Sequence, residues 1–93
     1  MTSARARHIL VETEAQALEL KTQIEGGTDF GEIAKLHSQC PSGKGGGDLG
    51  SFSPGQMVRE FDQVVFTGEV GTTLGPVQTQ FGYHLIEIIE RKD

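Results

Sequence analysis

Glycine is concentrated in two stretches of this chain, and their positions limit where helices and strands can form. Thirteen of the 93 residues are glycine, a share above the usual ~7%, and most of them fall within 43–55 and 68–75. This clustering indicates loops and not a low-complexity chain. A chain of this length should form one domain, 1–93, with one small core and no deep cavity.

Charge, cysteine content and hydropathy exclude several classes of protein. The net charge is −5 and the Lys and Arg residues are scattered, so nucleic acid is not expected as a partner. Cys40 is the only cysteine, which removes the disulfide-scaffold class. No apolar run is long enough to predict a membrane span, and the N-terminus lacks the apolar core of a signal peptide. These features predict a cytoplasmic protein, unless the chain is a domain excised from an exported one.

The first half of the chain has the pattern of one strand and two helices. Residues 5–11 alternate and then become apolar, as a buried strand does. Capping boxes at Thr13 and Asp29 predict helix starts, and a glycine pair at 26–27 predicts the end of the first helix. The second helix should end before Pro41. The side chains expected to face the core are Ala17, Leu20 and Ile24 in the first helix, and Phe30, Ile33, Ala34 and Leu36 in the second.

The second half predicts shorter elements separated by the glycines. A short strand is expected at 49–52, and Ser53-Pro54 has the form of a helix start. A helix is expected at 60–66, followed by strands at 76–80 and 82–91. The resulting order β-α-α-β-α-β-β predicts an α+β fold in which helices cover a small, mostly antiparallel sheet.

His8, His84 and Cys40 are the residues whose chemistry most needs an explanation. A single histidine in a strand is usually a hydrogen-bonded core residue, and Thr79 and Cys40 are available as partners. A Cys-His nucleophile is a second interpretation, but no oxyanion-hole motif surrounds Cys40. Zinc is a weaker one, because His37 and Cys40 supply two ligands and nothing completes a tetrahedral set.

Apolar residues lie close to the glycine stretch, where core residues are less frequent. Leu49 and Met57 lie between glycines and turn residues, and Phe61 and Phe81 follow at a distance. Each alone could be a core residue. Together they could line a shallow apolar pocket large enough for one small ring.

Three blocks of this sequence resemble parvulins, one class of peptidyl-prolyl cis-trans isomerase, and most closely the small stand-alone bacterial, PpiC-like type. The first block is HILV at 8–11, and the second is SQCPSGKGGGDLGSFSPGQMVREFD at 38–62. The third is GPVQTQFGYHLI at 75–86. Their order and spacing cover nearly the whole chain, which makes the resemblance more specific than one glycine motif.

The resemblance implies a four-stranded, mostly antiparallel sheet surrounded by helices, with a shallow active site on one side. It also implies roles for individual residues. The residues expected in a polar catalytic network are His8, Cys40, Thr79 and His84. Those expected to bind the proline ring are Leu49, Met57 and Phe61, with Phe52 and Phe81 shaping the wall.

The implied function is rotation about Xaa-Pro bonds in proline-containing polypeptides, assisting protein folding without a cofactor or metal. The acidic residues Glu12 and Glu14 after the first strand would repel phosphate, so unphosphorylated substrates are expected, with an apolar or basic residue before proline. A monomer is the default expectation. The alternative is a non-catalytic peptide-binding or chaperone module that uses the same groove.

Overall fold

A four-stranded sheet with helices on both faces forms the molecule, and the computed structural model describes residues 2–92. The strands are β1 (Ser3–Val11), β2 (Asp48–Phe52), β3 (Thr73–Thr79) and β4 (Gly82–Lys92). The helices are α1 (Glu14–Glu25), α2 (Phe30–His37) and α3 (Arg59–Thr67), with a short 3₁₀ helix at Pro41–Gly45. The predicted order and the antiparallel α+β class are confirmed, and every strand pair is antiparallel.

The two long strands β1 and β4 lie at the centre of the sheet, in the order β2-β1-β4-β3. Alternate side chains of these strands enter two different apolar clusters. Ile9 and Leu85 pack with α1 and α2, whereas Ala6 and Ile86 pack with α3 and β2. The α3 face of the sheet is the one that carries His8 and His84, which are both buried.

Local capping signals determine the starts of the first two helices. The Thr13 side chain accepts a hydrogen bond from the Gln16 backbone N–H at 3.2 Å, and Asp29 accepts one from Glu32 at 3.0 Å. Each bond satisfies a donor that the first helical turn leaves unpaired. The helices begin at the predicted positions as a result, and α2 ends at His37, before Pro41.

Two local predictions were wrong. Leu36 does not pack inward but is 75% exposed, because at about 100° per residue it lies roughly 160° from Ala34 and roughly 120° from Phe30 around α2. No helix begins at Ser53-Pro54. A turn forms there instead, in which Gly55 adopts φ +89°, and α3 starts only at Arg59.

Candidate active site

His8 and His84 form the centre of a polar cluster on the α3 face. In the β1–β4 ladder His8 is paired with Ile86 and His84 with Leu10, so the two histidines are diagonal neighbours on one face. Their rings stack with centroids 5.2 Å apart, and the two Nδ1 atoms lie 3.0 Å from each other. One Nδ1–H therefore donates to the other Nδ1, which requires at least one ring to be neutral at that atom.

Burial keeps both histidines from being charged. Desolvation, and secondarily the neighbouring ring of His84, lowers the pKa of His8 from 6.5 to about 4. Desolvation also lowers the pKa of His84. At neutral pH the pair is therefore uncharged, and each ring has one N–H to donate and one nitrogen that accepts.

The hydrogen-bonded chain continues from both ends of the histidine pair. Thr79 Oγ1 lies 2.7 Å from His84 Nε2 and accepts the Phe81 backbone N–H at 3.2 Å. At the other end, His8 Nε2 lies 3.1 Å from Ser42 Oγ, which lies 3.3 Å from Cys40 Sγ. The four residues predicted for the network are thus brought into one chain, and Ser42 is the link that sequence reasoning missed.

Cys40 reaches this chain because the segment after α2 is tied to the end of β1. Gln39 donates its backbone N–H to the Leu10 carbonyl at 2.8 Å, and Leu10 donates to Ser38 Oγ at 3.1 Å. These bonds hold the segment after α2 against β1 and place half-buried Cys40 within reach of Ser42.

An apolar pocket of about 400 Å³ opens beside the histidine pair. Four residues predicted to bind substrate line it, namely Leu49, Met57, Phe61 and Phe81, together with His8, Cys40 and His84 of the predicted polar network. The lining residues that were not predicted are Leu10, Gln39, Pro41 and Val58. The alternation that puts Leu10 on the same face as His8 was the signal available for that residue. Within residues 2–92 the lining contains no Lys, Arg, Asp or Glu.

Two predicted site residues lie behind the pocket instead of lining it. Phe52 is buried, with its ring centroid 6.3 Å from that of Phe61, and it packs in the core with Phe66. Direct contact between Phe52 and a substrate is therefore not available in this arrangement. Thr79 is also buried and does not line the pocket, and it is linked to the lining by its bonds to His84 and to the Phe81 backbone.

Phe61 connects the pocket to the polar chain. Its ring stands nearly perpendicular to both histidine rings, with centroids 5.5 Å from His8 and 5.8 Å from His84. Edge-to-face contacts of this kind hold aromatic rings in fixed orientation. Because Phe61 is also buried in the α3 cluster, the wall of the pocket is continuous with the core.

A β-bulge in β2 aims Leu49 into the pocket. Arg5 is paired with Ser51 and Arg7 with Asp48, so Leu49 and Gly50 together oppose Ala6. The Asp48 carboxylate stabilises this bulge by accepting the Gly50 N–H at 2.8 Å and by binding Arg5. Such an extra residue re-aims side chains next to functional sites.

The sheet topology, the histidine pair and the adjoining apolar pocket define a parvulin-type domain. The family description "Rotamase: PPIC-type PPIASE domain" matches residues 4–90. The chain therefore belongs to the PpiC-type peptidyl-prolyl cis-trans isomerase family, and it has the fold predicted from the sequence.

Individual relatives agree with this family. The chain is 46% identical over 90 residues to the foldase protein PrsA of Geobacillus sp. (strain WCH70), covering 96% of this chain and 33% of that protein. It is 42% identical over 102 residues to the chaperone SurA of Thiobacillus denitrificans, covering all of this chain and 23% of that protein. The chain thus spans a third or less of the length of these two curated relatives.

Solved structures show the same architecture. The peptidylprolyl isomerase PrsA from Bacillus anthracis superposes with a TM-score of 0.95 at 40% identity, covering 99% of this chain and 43% of that chain. The parvulin of Nitrosopumilus maritimus superposes with a TM-score of 0.87 at 34% identity, covering 97% of this chain and 98% of that one. The second comparison shows that the fold of this chain matches a parvulin over nearly the full length of both.

Proposed function

We propose that this domain accelerates rotation about Xaa-Pro bonds in unphosphorylated polypeptides, and so assists their folding. The observation that carries the proposal is the apolar pocket beside the uncharged histidine pair. The pocket would hold the proline ring against Leu49, Met57 and Phe61. With the ring held, the carbonyl before proline remains free to turn.

The chemistry of rotation suits an apolar site. Resonance makes the amide planar, and the barrier to rotation is ~18–20 kcal/mol. Catalysis needs no bond to break, and requires only that the twisted amide be bound better than the planar forms. The planar amide is the more charge-separated form, so a site that excludes water weakens resonance. His8, His84, Thr79 and Cys40 would then set the polarity next to the turning carbonyl, with Cys40 acting electrostatically and not as a nucleophile.

The pocket also supports a preference for unphosphorylated substrates. Phosphate groups are bound in proteins by Arg and Lys side chains and by helix N-termini. The described lining contains no Arg and no Lys side chain. The exposed acidic residue Glu12 follows the lining residue Leu10 by two positions in sequence. A phosphoserine before proline would therefore meet no cation in the pocket.

Exchange measurements on short Ala-Xaa-Pro-Phe peptides test the proposal. The wild type should speed cis-trans exchange, and Met57→Ala should lower kcat/KM about tenfold by removing roughly 1.4 kcal/mol of ring contact. His84→Ala should lower it further. The matched control is Leu36→Ala, which removes an exposed leucine on α2 and should leave exchange unchanged. No acceleration by folded wild type would reject catalysis.

A non-catalytic chaperone module is the second candidate, because relatives carry the names foldase and chaperone. It predicts that proline peptides bind and that Met57→Ala weakens binding, while the exchange rate stays at its uncatalysed value. Titration and exchange measurements on the same samples separate the two functions.

The cellular location stays a prediction. Among residues 2–92, no helix is long and apolar enough to cross a membrane. The match covers 33% of the PrsA relative and 23% of the SurA relative. These shares support the alternative that a domain of this kind is part of a longer protein. Fractionation of the source cells with an antibody against the domain would decide between the cytoplasm and an exported location.

A further inference from the structure

Ser42 provides the hydrogen-bonded connection between Cys40 and the histidine pair. Its Oγ lies 3.1 Å from His8 Nε2 and 3.3 Å from Cys40 Sγ. The side chain is half-buried in the 3₁₀ helix, and it is not among the residues lining the pocket. Ser42 is thus placed to act on the histidines without touching a substrate held in the pocket.

A hydroxyl has one proton, so Ser42 can donate to only one of its two neighbours at a time. When Ser42 donates to Cys40 Sγ, it accepts from His8 Nε2–H. His8 Nδ1 then accepts from His84 Nδ1–H, and His84 Nε2 accepts from the Thr79 hydroxyl. Every member of the chain is satisfied, with all donors pointing toward Cys40.

The opposite direction can also form, although Thr79 then only accepts, from His84 and from the Phe81 N–H, and its hydroxyl hydrogen has no partner among the described bonds. When Ser42 donates to His8 Nε2, the His8 Nδ1–H donates to His84 Nδ1, and the His84 Nε2–H donates to Thr79 Oγ1. A thiol can donate to Ser42 in this arrangement, since sulfur is both a weak donor and a weak acceptor. The two arrangements differ in which nitrogen of each ring carries the proton.

We propose that Ser42 is a positioning residue that couples the group at position 40 to the tautomers of His8 and His84. The side chain at position 40 decides which way the Ser42 hydroxyl points, and the hydroxyl decides which tautomer both rings adopt. This inference rests on the proposed isomerase function only for its catalytic meaning, because the tautomers exist without substrate.

Two substitutions at Cys40 should favour opposite directions of the hydrogen bonds that run from Cys40 to Thr79. Cys40→Asp supplies a carboxylate, which only accepts, and so should hold the Ser42 hydroxyl toward residue 40 and the proton on His8 Nε2. Cys40→Ala removes the acceptor and releases the hydroxyl to donate to His8 Nε2. ¹⁵N NMR of the ring nitrogens, recorded on substrate-free protein near pH 7, distinguishes protonated from unprotonated nitrogens.

The decisive comparison is made with and without the Ser42 hydroxyl. We expect Cys40→Asp and Cys40→Ala to give different ring-nitrogen shifts for both histidines when Ser42 is present, and the same shifts in a Ser42→Ala background. Ser42→Thr, which keeps a hydroxyl, should restore the difference. A difference that persists in Ser42→Ala would mean that the aspartate acts through space, and would overturn the proposal, as would no difference with Ser42 intact.

Kinetics give a second readout. Since Ser42 does not line the pocket, Ser42→Ala should lower kcat about three- to tenfold and change KM less than about twofold, with Ser42→Thr restoring kcat. Ser51→Ala, on the exposed side of β2, is the matched control and should change neither constant. A raised KM at constant kcat would overturn the positioning role. An inactive wild type would reject the isomerase proposal and leave the NMR result standing.

Discussion

Two buried histidines, His8 and His84, are uncharged at neutral pH and lie at the centre of the candidate site. Their burial is offset by partners at every ring nitrogen, namely Thr79, Ser42 and each other. An unpaired buried nitrogen would cost about 1–3 kcal/mol, so the chain of bonds is also a structural requirement of the core. The same hydrogen-bonded residues therefore contribute to the stability of the fold and set the polarity beside the pocket.

Acid should destabilise the folded protein through His8. The unfolded chain binds a proton at an ordinary pKa of 6.5, whereas folded His8 binds it only near pH 4. Between those values the unfolded state carries more protons, so the free energy of unfolding falls as pH decreases. The loss should reach roughly 3 kcal/mol by about pH 4, and His84 acts in the same direction. Urea denaturation at a series of pH values measures it.

Two histidine substitutions isolate this effect from the carboxylates that also titrate in acid. His8→Gln removes the group whose pKa is depressed and should flatten the stability curve between about pH 4 and 6.5. His37→Gln, at an exposed position at the end of α2, is the matched control and should retain the loss of stability that His8 causes in acid. A curve that keeps its full slope in His8→Gln would show that His8 is not the source of the acid sensitivity.

The loop between α2 and β2 positions the site through a close approach of two backbones. The Gly47 carbonyl accepts the His8 backbone N–H at 3.0 Å, and Gly47 adopts φ +87°. A Cβ at this position would lie 2.3 Å from the His8 carbonyl oxygen. The absence of a side chain at Gly47 is therefore what lets the loop reach β1 and deliver Ser42 to His8.

Gly47→Ala should be much more costly than the same change at a glycine of similar backbone conformation. Gly55 has φ +89°, but a methyl group added there would have no neighbouring atom within 4 Å. Gly55→Ala should therefore cost only the left-handed strain of about 1–2 kcal/mol. Gly47→Ala adds a steric clash and should cost about 2–4 kcal/mol in total. Urea denaturation of both variants checks the difference, and equal losses would contradict the close-approach role.

Sequence signals predicted the elements where the deciding contacts are local. Thr13 and Asp29 cap helices through bonds three residues away, so their effect is visible in the sequence. The turn at Ser53-Pro54 was mistaken for a helix start because the feature that prevents a helix, the left-handed Gly55, follows it. Leu36 was mistaken for a core residue because its apolar side chain suggested burial, although its angle on α2 directs it to solvent.

The candidate site was also predictable only in part. The nine expected residues came from a resemblance to whole sequence blocks, and the structure brings seven of them to the pocket lining. Ser42 has no local signal, because a serine between proline and glycine is typical of any turn. Its place beside His8 depends on a tertiary approach 34 residues apart in sequence, which no local pattern records.

At the scale of the whole molecule, the sheet separates two roles. The α1–α2 face buries an apolar cluster that includes Ile9 and Leu85, and it carries none of the pocket lining apart from the segment that follows α2. The α3 face combines core residues with the pocket, since Phe61 belongs to both. Substitutions on the first face should therefore act on stability, and those on the second on stability and substrate handling together.

The charge of the molecule as a whole should act against phosphorylated substrates. The net charge is −5, the described pocket lining has no cation, and the exposed Glu12 follows the lining residue Leu10 by two positions in sequence. Phosphorylation adds about −1.5 to −2 charges, and a repulsion of roughly 1 kcal/mol would lower kcat/KM about fivefold for Ala-phosphoSer-Pro-Phe relative to Ala-Ser-Pro-Phe.

Added salt should reduce this difference between the two peptides by screening exposed charges. Glu12→Gln should reduce it as well, whereas Glu19→Gln, on the exposed side of α1, should not. Faster exchange of the phosphorylated peptide would show that cations outside the lining, such as Lys44 or Arg59, receive the phosphate instead.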